Sequence, residues 1–246
     1  MTLVIAHRGA SAYAPENTMP AFELAVRQGA DMLELDVQRS ADGTIVVFHD
    51  EFTDRWDGRR RRTTDCTLAE LQALNIGGAR VPALAEVCTL ARERQVRLNV
   101  ELKGLGIAAD VARVLRDTRA EELALISCFA VQGLAEMAAV APHIPRGYLM
   151  GTHTLRPRVR FRESWPFRAL KAADVSAWHP AFQLPLLGTA IPRVRRAGYQ
   201  VNVWTVNNPR VMRRLIQIGV SGIITDTPDV LRAILSERAA HTQTRG

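Results

Sequence analysis

The stretch Leu3-Val4-Ile5-Ala6-His7-Arg8-Gly9 decides how the rest of the chain reads. A short apolar run stops abruptly at a histidine and an arginine. Runs of this length rich in Val, Ile and Leu read as buried strands. The same design recurs at Met32–Val37, which carries Glu34 and Asp36, and at Thr44–Phe48, which leads into His49 and Asp50. It recurs again at Arg97–Leu102, which carries Glu101 and runs into Lys103. Residues at i and i+2 on a strand face the same side, so Glu34 and Asp36 converge, as do Glu101 and Lys103. Buried strands rarely carry acids unless these are paired or bind a cation. Strand ends that deliver acids, bases and cations in this way read as one active site.

Working outward, each strand is followed by a helical pattern. A helix over Pro20–Gln28 follows the first strand, with Asn17 or Thr18 as its expected N-cap and Gly29 as its end. Asp42-Gly43 turns the second strand into a hairpin-like partner. Helical patterns lie at Leu68–Leu74 and Leu84–Arg94. Arg97–Leu102 precedes Ala108–Asp117, and Leu123–Phe129 precedes Gln132–Val140. Further strands are expected at Arg146–Met150, Val175–Trp178, Gln200–Val206 and Gly222–Thr225. Helices are expected at Thr189–Ala197, Val211–Ile218 and Pro228–Glu237. Eight strand–helix units in one chain of 246 residues predict a single-domain α/β fold, a (β/α)8 TIM barrel over residues 1–240, with a polar tail at 241–246. A doubly wound sheet would need a glycine-rich phosphate turn that the chain lacks.

Composition narrows the class. An apolar fraction of 47% suits a globular protein, and no run approaches the length of a membrane helix. The first strand starts at Leu3, leaving no room for a leader, so a cytoplasmic location is expected. Cys66, Cys88 and Cys128 are odd in number, widely spaced and without a CxxC, as expected of small core residues in a reducing compartment. The formal charge of +7 comes from 32 basic residues, of which only Lys103 and Lys171 are lysines. High-GC codon usage explains the arginine bias most simply. Attraction to anionic substrates or surfaces is the functional alternative.

Glu34, Asp36 and Glu101 form an all-oxygen donor set without cysteine, which selects Mg2+ or Ca2+. The alternative for the same residues is a set of buried salt bridges with Arg8 and Lys103. His7 and His49 titrate near neutral pH and suit an acid–base pair, or else structural roles. Arg8 and Lys103 suit phosphoryl oxygens, or else the neighbouring carboxylates.

In order and spacing, these pieces resemble the glycerophosphodiester phosphodiesterase family. The matching segments are His7-Arg8-Gly9, Pro15-Glu16-Asn17-Thr18, Glu34-Leu35-Asp36-Val37, His49-Asp50, Glu101-Leu102-Lys103, Val203-Trp204-Thr205-Val206-Asn207 and Ile224-Thr225-Asp226-Thr227-Pro228. The resemblance runs from Ile5 to about Leu231. It implies a TIM barrel that hydrolyses glycerophosphodiesters to sn-glycerol 3-phosphate and an alcohol. It further implies a divalent metal, Mg2+ or Ca2+, at Glu34, Asp36 and Glu101, and acid–base catalysis by His7 and His49. Arg8 and Lys103 match positions near the phosphate, Trp204 matches an aromatic near the glycerol, and Phe129 falls where an apolar pocket wall is expected. One imidazole would activate water or the glycerol 2-hydroxyl and the other would protonate the leaving alkoxide, in an order the sequence leaves open.

The chain departs from the family pattern after His49-Asp50. Asp54-Arg55-Trp56-Asp57-Gly58 and Arg59–Arg62 stand where Asp-Arg-Thr-Thr-Gly character is usual, which leaves head-group preference open. Pro82-Ala83-Leu84-Ala85-Glu86 replaces a more usual Pro-Thr-Leu-x-Glu, with Glu86 expected in a structural role. Arg59–Arg62 and Arg156–Arg168, the latter interleaved with Phe161, Trp165 and Phe167, are expected to rim the catalytic face as solvated loops. Docking on anionic lipid is the functional alternative, and nucleic acid is not an expected partner. His143, His153, His179 and His241 are assigned no role, although His179 is placed at a strand end within reach of the site. The substrate expected is a small glycerophosphodiester. A lysophospholipid substrate and a non-catalytic phospholipid- or metabolite-binding barrel are the alternatives.

Overall fold

The computed structural model describes residues 2–151 and 157–243. Eight parallel strands close into a barrel: β1 (Leu3–His7), β2 (Met32–Arg39), β4 (Arg97–Leu102), β5 (Ala124–Cys128), β6 (Arg146–Met150), β7 (Ala177–Pro180), β8 (Gln200–Val203) and β9 (Gly222–Thr225). Closure comes from β1, which pairs with β2 through Ile5–Met32 and with β9 through Leu3–Gly222. A short antiparallel strand, β3 (Ile45–Val47), is added to the outer half of β2.

The longer helices form the outer layer: α1 (Met19–Arg27), α4 (Leu84–Arg94), α5 (Ala108–Asp117), α6 (Val131–Val140), α9 (Leu187–Arg196), α10 (Pro209–Ile218) and α11 (Pro228–Gln243). Between β3 and α4 lie the short α2 (Asp54–Asp57) and α3 (Leu68–Gln72). Between β6 and β7 lie α7 (Pro157–Ser164) and α8 (Phe167–Ala172). No helix among the described residues is long and apolar enough to cross a membrane.

Alternation along each strand separates two environments. Leu33, Leu35 and Val37 of β2 and Leu98, Val100 and Leu102 of β4 point outward and join the main core with the helices. Their neighbours point inward. At the amino-terminal end the interior is an apolar plug of Ile5, Met32 and Ile224. Towards the carboxyl ends it turns polar, with Glu34, Asp36, Asn99, Glu101, Ser127, His179 and Asn202 all buried. Buried strands of a parallel barrel can carry such residues only where the site repays their desolvation.

Several expectations are corrected. Thr18 occupies the N-cap position of α1, but its hydroxyl donates back to the Pro15 carbonyl at 2.5 Å and caps nothing. The Asn17 amide is committed elsewhere, to Asp36. The seventh strand lies at Ala177–Pro180 rather than 175–178, which moves His179 from a strand end into the strand. Its side chain is fully buried, with Nε2 3.0 Å from the Asn202 amide, and it does not line the candidate site. Gly147 makes room for it, because a Cβ there would come within 2.7 Å of that Nε2. The final helix continues to Gln243 instead of ending at Glu237. His153, Arg156 and the end of the polar tail, 244–246, lie outside the described residues.

Candidate active site

Every candidate residue but His49, which follows the short β3, lies on or just after a barrel strand, and the turn after β1 shows how the backbone arranges this. Arg8 and Gly9 both adopt the left-handed region (φ 55° and 86°). Gly9 is obligatory, since a Cβ would lie 2.6 Å from the backbone of Ala21 in α1. The turn lets the Arg8 amide donate to Glu34 Oε2 at 2.9 Å while its guanidinium Nε lies 3.1 Å from Asp36 Oδ2. Asn17, also left-handed (φ 56°), donates its side-chain amide to the same Asp36 oxygen at 2.9 Å.

The outer half of β2 reaches past the end of β1 and offers an open edge. There β3 docks, and Phe48 N donates to the Asp36 carbonyl. The buried Gln38 amide then binds the carbonyls of Phe48 and Asp50, both at 2.9 Å, so the backbone on either side of His49 is tied to β2. His49, on its hairpin, is in this way tied to the barrel.

Glu34, Asp36 and Glu101 bring one carboxylate oxygen each to within 4.8 Å of one another, all three residues buried. Lys103 Nζ lies 3.0 Å from Glu101 and 3.6 Å from Asp36. Asp36 therefore collects both cations. Although burial works against it, Arg8 and then Lys103 hold its carboxyl below the usual range. Burial, reinforced by the Asp36 charge, pushes Glu34 up to about 7 and Glu101 up to about 8. Fully ionised, the three acids would outnumber the two cations in a site with hard oxygen donors only. A hard divalent cation fits that donor set and that imbalance.

Both imidazoles present Nδ1 to a carboxylate. His7 Nδ1 lies 2.6 Å from Asp226 Oδ1, which also accepts the Ser11 hydroxyl at 3.0 Å. His49 Nδ1 lies 2.9 Å from Asp50 Oδ1. Burial lowers the pKa of His7, but Asp226 and Glu34 outweigh it and the net shift is upward. For His49 burial wins, helped by Arg8 and Lys103 against Asp36 and Asp50, and the net shift is downward. One imidazole favours its cation and the other its free base.

His7, Arg8, Glu34, His49, Asn99, Glu101, Lys103, Phe129 and Trp204 line one cavity of about 570 Å³, floored by Leu149 and Ile224. Trp204 is held by its indole N–H, which donates to the His179 carbonyl at 2.8 Å, and Phe129 meets it edge-on at 5.6 Å. The cavity has an anionic pole, a cationic rim and an aromatic wall, which suits an ester of phosphate with one small polyol.

The structure thus brings together all nine residues singled out in the sequence. It adds Asp226, Asp50 and Asn17 as their partners, each lying inside a quoted motif, and Asn99, which no motif marked. Glu86 is structural, as expected: it accepts from the Ala83 amide at the start of α4 and pairs with Arg80. Arg60, Arg61 and Arg62 pair with Asp54, Asp57 and Glu51, so this basic run is largely neutralised by its own loop.

Residues 7–230 match the model of the Glycerophosphoryl diester phosphodiesterase family. A glycerophosphodiester phosphodiesterase of Caldanaerobacter subterraneus subsp. tengcongensis is 36% identical over 94% of this chain and 96% of its own. Among solved structures, a phosphodiesterase of Oleispira antarctica in complex with the product sn-glycerol-3-phosphate superposes with a TM-score of 0.83 at 28% identity, covering 94% of this chain and 96% of that one. A glycerophosphodiester phosphodiesterase of Agrobacterium tumefaciens gives 0.78 at 28%, covering 95% and 100%.

Proposed function

From a chain that belongs to the glycerophosphoryl diester phosphodiesterase family, and is a glycerophosphodiester phosphodiesterase, we infer a metal-dependent hydrolysis that yields sn-glycerol 3-phosphate and an alcohol, with His7 and His49 as the proton-transfer pair. The observation that carries this reading is the pair of carboxylate-backed imidazoles flanking three converging buried acids, of which Glu34 and Glu101 line the cavity.

Glu34, Asp36 and Glu101 would hold the divalent cation, which when bound supplies Lewis-acid polarisation of a phosphoryl oxygen. Arg8 and Lys103, released in part from Asp36, bind the remaining phosphoryl oxygens and offset charge that grows in the transition state. His49, whose surroundings favour its free base, accepts the proton of the attacking hydroxyl. His7, whose surroundings favour its cation, gives its proton to the departing alkoxide. The Asp226 and Asp50 contacts leave each Nε2 free for this work. Trp204 and Phe129 pack against the carbon skeleton of the glycerol and keep bulk water away from it.

The test is turnover of glycerophosphocholine and glycerophosphoethanolamine, reading glycerol 3-phosphate through a coupled dehydrogenase. The expected result is product with Mg2+ or Ca2+ and none with EDTA. EDTA-insensitive turnover would remove the cation from the reading. Absence of product with either metal would remove these substrates.

A further inference from the structure

Large apolar side chains left in solvent are gathered at one end of the barrel. Phe129 belongs to the cavity. Tyr13, Leu105, Val131, Phe161, Trp165 and Leu186 all lie on connections that leave the carboxyl ends of strands. Among the described residues only Val140, at the far end of α6, is a large exposed hydrophobic elsewhere. Phe161 is 67% and Leu186 61% exposed. Single exposed apolar residues need no explanation, but a ring of them around one mouth does.

Charge at this end is uneven. The loop after β3 cancels its own arginines with Asp54, Asp57 and Glu51. In the segment holding α7 and α8 the sequence sets Arg158, Arg160, Arg162, Arg168 and Lys171 against one acid, Glu163, which is buried. Aromatic side chains next to a run of arginines on a short surface helix suit an interface that is apolar inside and anionic at its surface. The apolar residues come from separate loops. A fluid lipid surface accepts such scattered anchors, whereas a folded partner would need them contiguous.

We propose that the mouth of the barrel docks on anionic phospholipid surfaces, with Phe161, Trp165 and Leu186 inserted among the lipids and the α7–α8 segment supplying the positive charge. This rests on the reading of that end as the catalytic face, and it brings the cavity to where water-soluble and lipid-borne phosphodiesters both arrive.

The experiment is co-sedimentation of the full chain with phosphatidylglycerol–phosphatidylcholine vesicles and with phosphatidylcholine vesicles alone. Binding is expected to the anionic vesicles and to weaken as salt is added. Phe161→Ser combined with Leu186→Asn should weaken it about tenfold or more. Both positions are exposed, and asparagine tolerates the left-handed backbone of Leu186 (φ 60°), so folding is not at stake. Turnover of soluble glycerophosphocholine by the double variant should match the parent, which separates loss of docking from failure of the catalytic reading. Binding unchanged in the double variant, or lost instead in Arg94→Ser/Arg196→Ser at the opposite end, would overturn the proposal. So would absence of binding, or a dimer that the double variant dissociates, which would assign the ring to a second copy of the chain.

Discussion

The two histidines proposed as the proton-transfer pair stand on unlike supports. His7 ends a barrel strand, and its carboxylate, Asp226, arrives from 219 residues away across the seam where β1 and β9 close the barrel. Ser11 and Asn207 hold that carboxylate in turn. His49 rides on an added hairpin, and its carboxylate is its own neighbour, Asp50. Asp50 is steadied by Arg55 and by the Trp56 indole, both from α2, the segment in which this chain departs from its family. The barrel's closure fixes the first imidazole. An insertion that can vary fixes the second. The first support is therefore a condition of folding and the second a place where a family can tune itself.

The comparison breaks most sharply with His7→Ala and His49→Ala. Each should lower kcat by roughly two to four orders of magnitude, the usual range for a general acid or base. Thermal unfolding should shift little in either, because both rings are partly exposed at the cavity. Near-parent rates in both variants would end the acid–base reading.

Asp226→Asn should cost less in rate, about tenfold to a hundredfold, and should change the shape of the pH profile. His7 must be protonated to act, so activity falls as pH rises through its pKa, which Asp226 holds above 6.5. His49 must be neutral, so activity falls as pH drops through its pKa, which lies below 6.5. Without Asp226 the lowering effects of burial and Arg8 remain, and the alkaline limb moves to lower pH while the acidic limb stays. The bell of kcat/KM, recorded at saturating cation, should narrow. A uniform loss at every pH would mean that Asp226 only supports the fold.

The difference between the supports also explains what the sequence could convey. Strand–helix alternation, the closing acids of β2 and β4, and His49-Asp50 are local patterns, and all were legible. The tie between His7 and Asp226 was not, because periodicity places both at strand ends but cannot say which acid meets which histidine across the seam. His179 was misplaced for a related reason. Pro180 reads as a strand terminator, yet at the end of a parallel strand it needs no amide, and its carbonyl accepts from Trp204. The strand therefore runs two residues further, and the histidine turns into the barrel. For Arg59–Arg62, expected as a solvated loop, lipid docking stayed open as the alternative because its neutralising acids sit at 51, 54 and 57, ahead of it in the chain, and only folding of the loop brings them round.

The smallest expected effect is the most specific to this chain. The Trp56 indole donates to Asp50 Oδ2 at 3.0 Å, and Arg55 reaches the same oxygen at 3.3 Å. Trp56 also packs over Phe48, with ring centroids 6.5 Å apart, and under the Arg55 guanidinium. Trp56→Phe keeps an aromatic ring for that packing and removes the donor together with the five-membered ring that carries it. Arg55 then holds Asp50 alone, so the His49–Asp50 contact loosens without being lost. The expected result is a kcat a few-fold lower with KM unchanged, since a hydrogen bond to a charged group contributes about 1.5–3 kcal/mol and Arg55 retains part of the hold on Asp50. The acidic limb should move to lower pH, because Asp50 raises the His49 pKa and a looser contact raises it less. Asp226→Asn moves the alkaline limb and Trp56→Phe the acidic one. If Trp56→Phe shifted KM and left both limbs in place, the loop would shape the substrate pocket and His49 would owe it nothing.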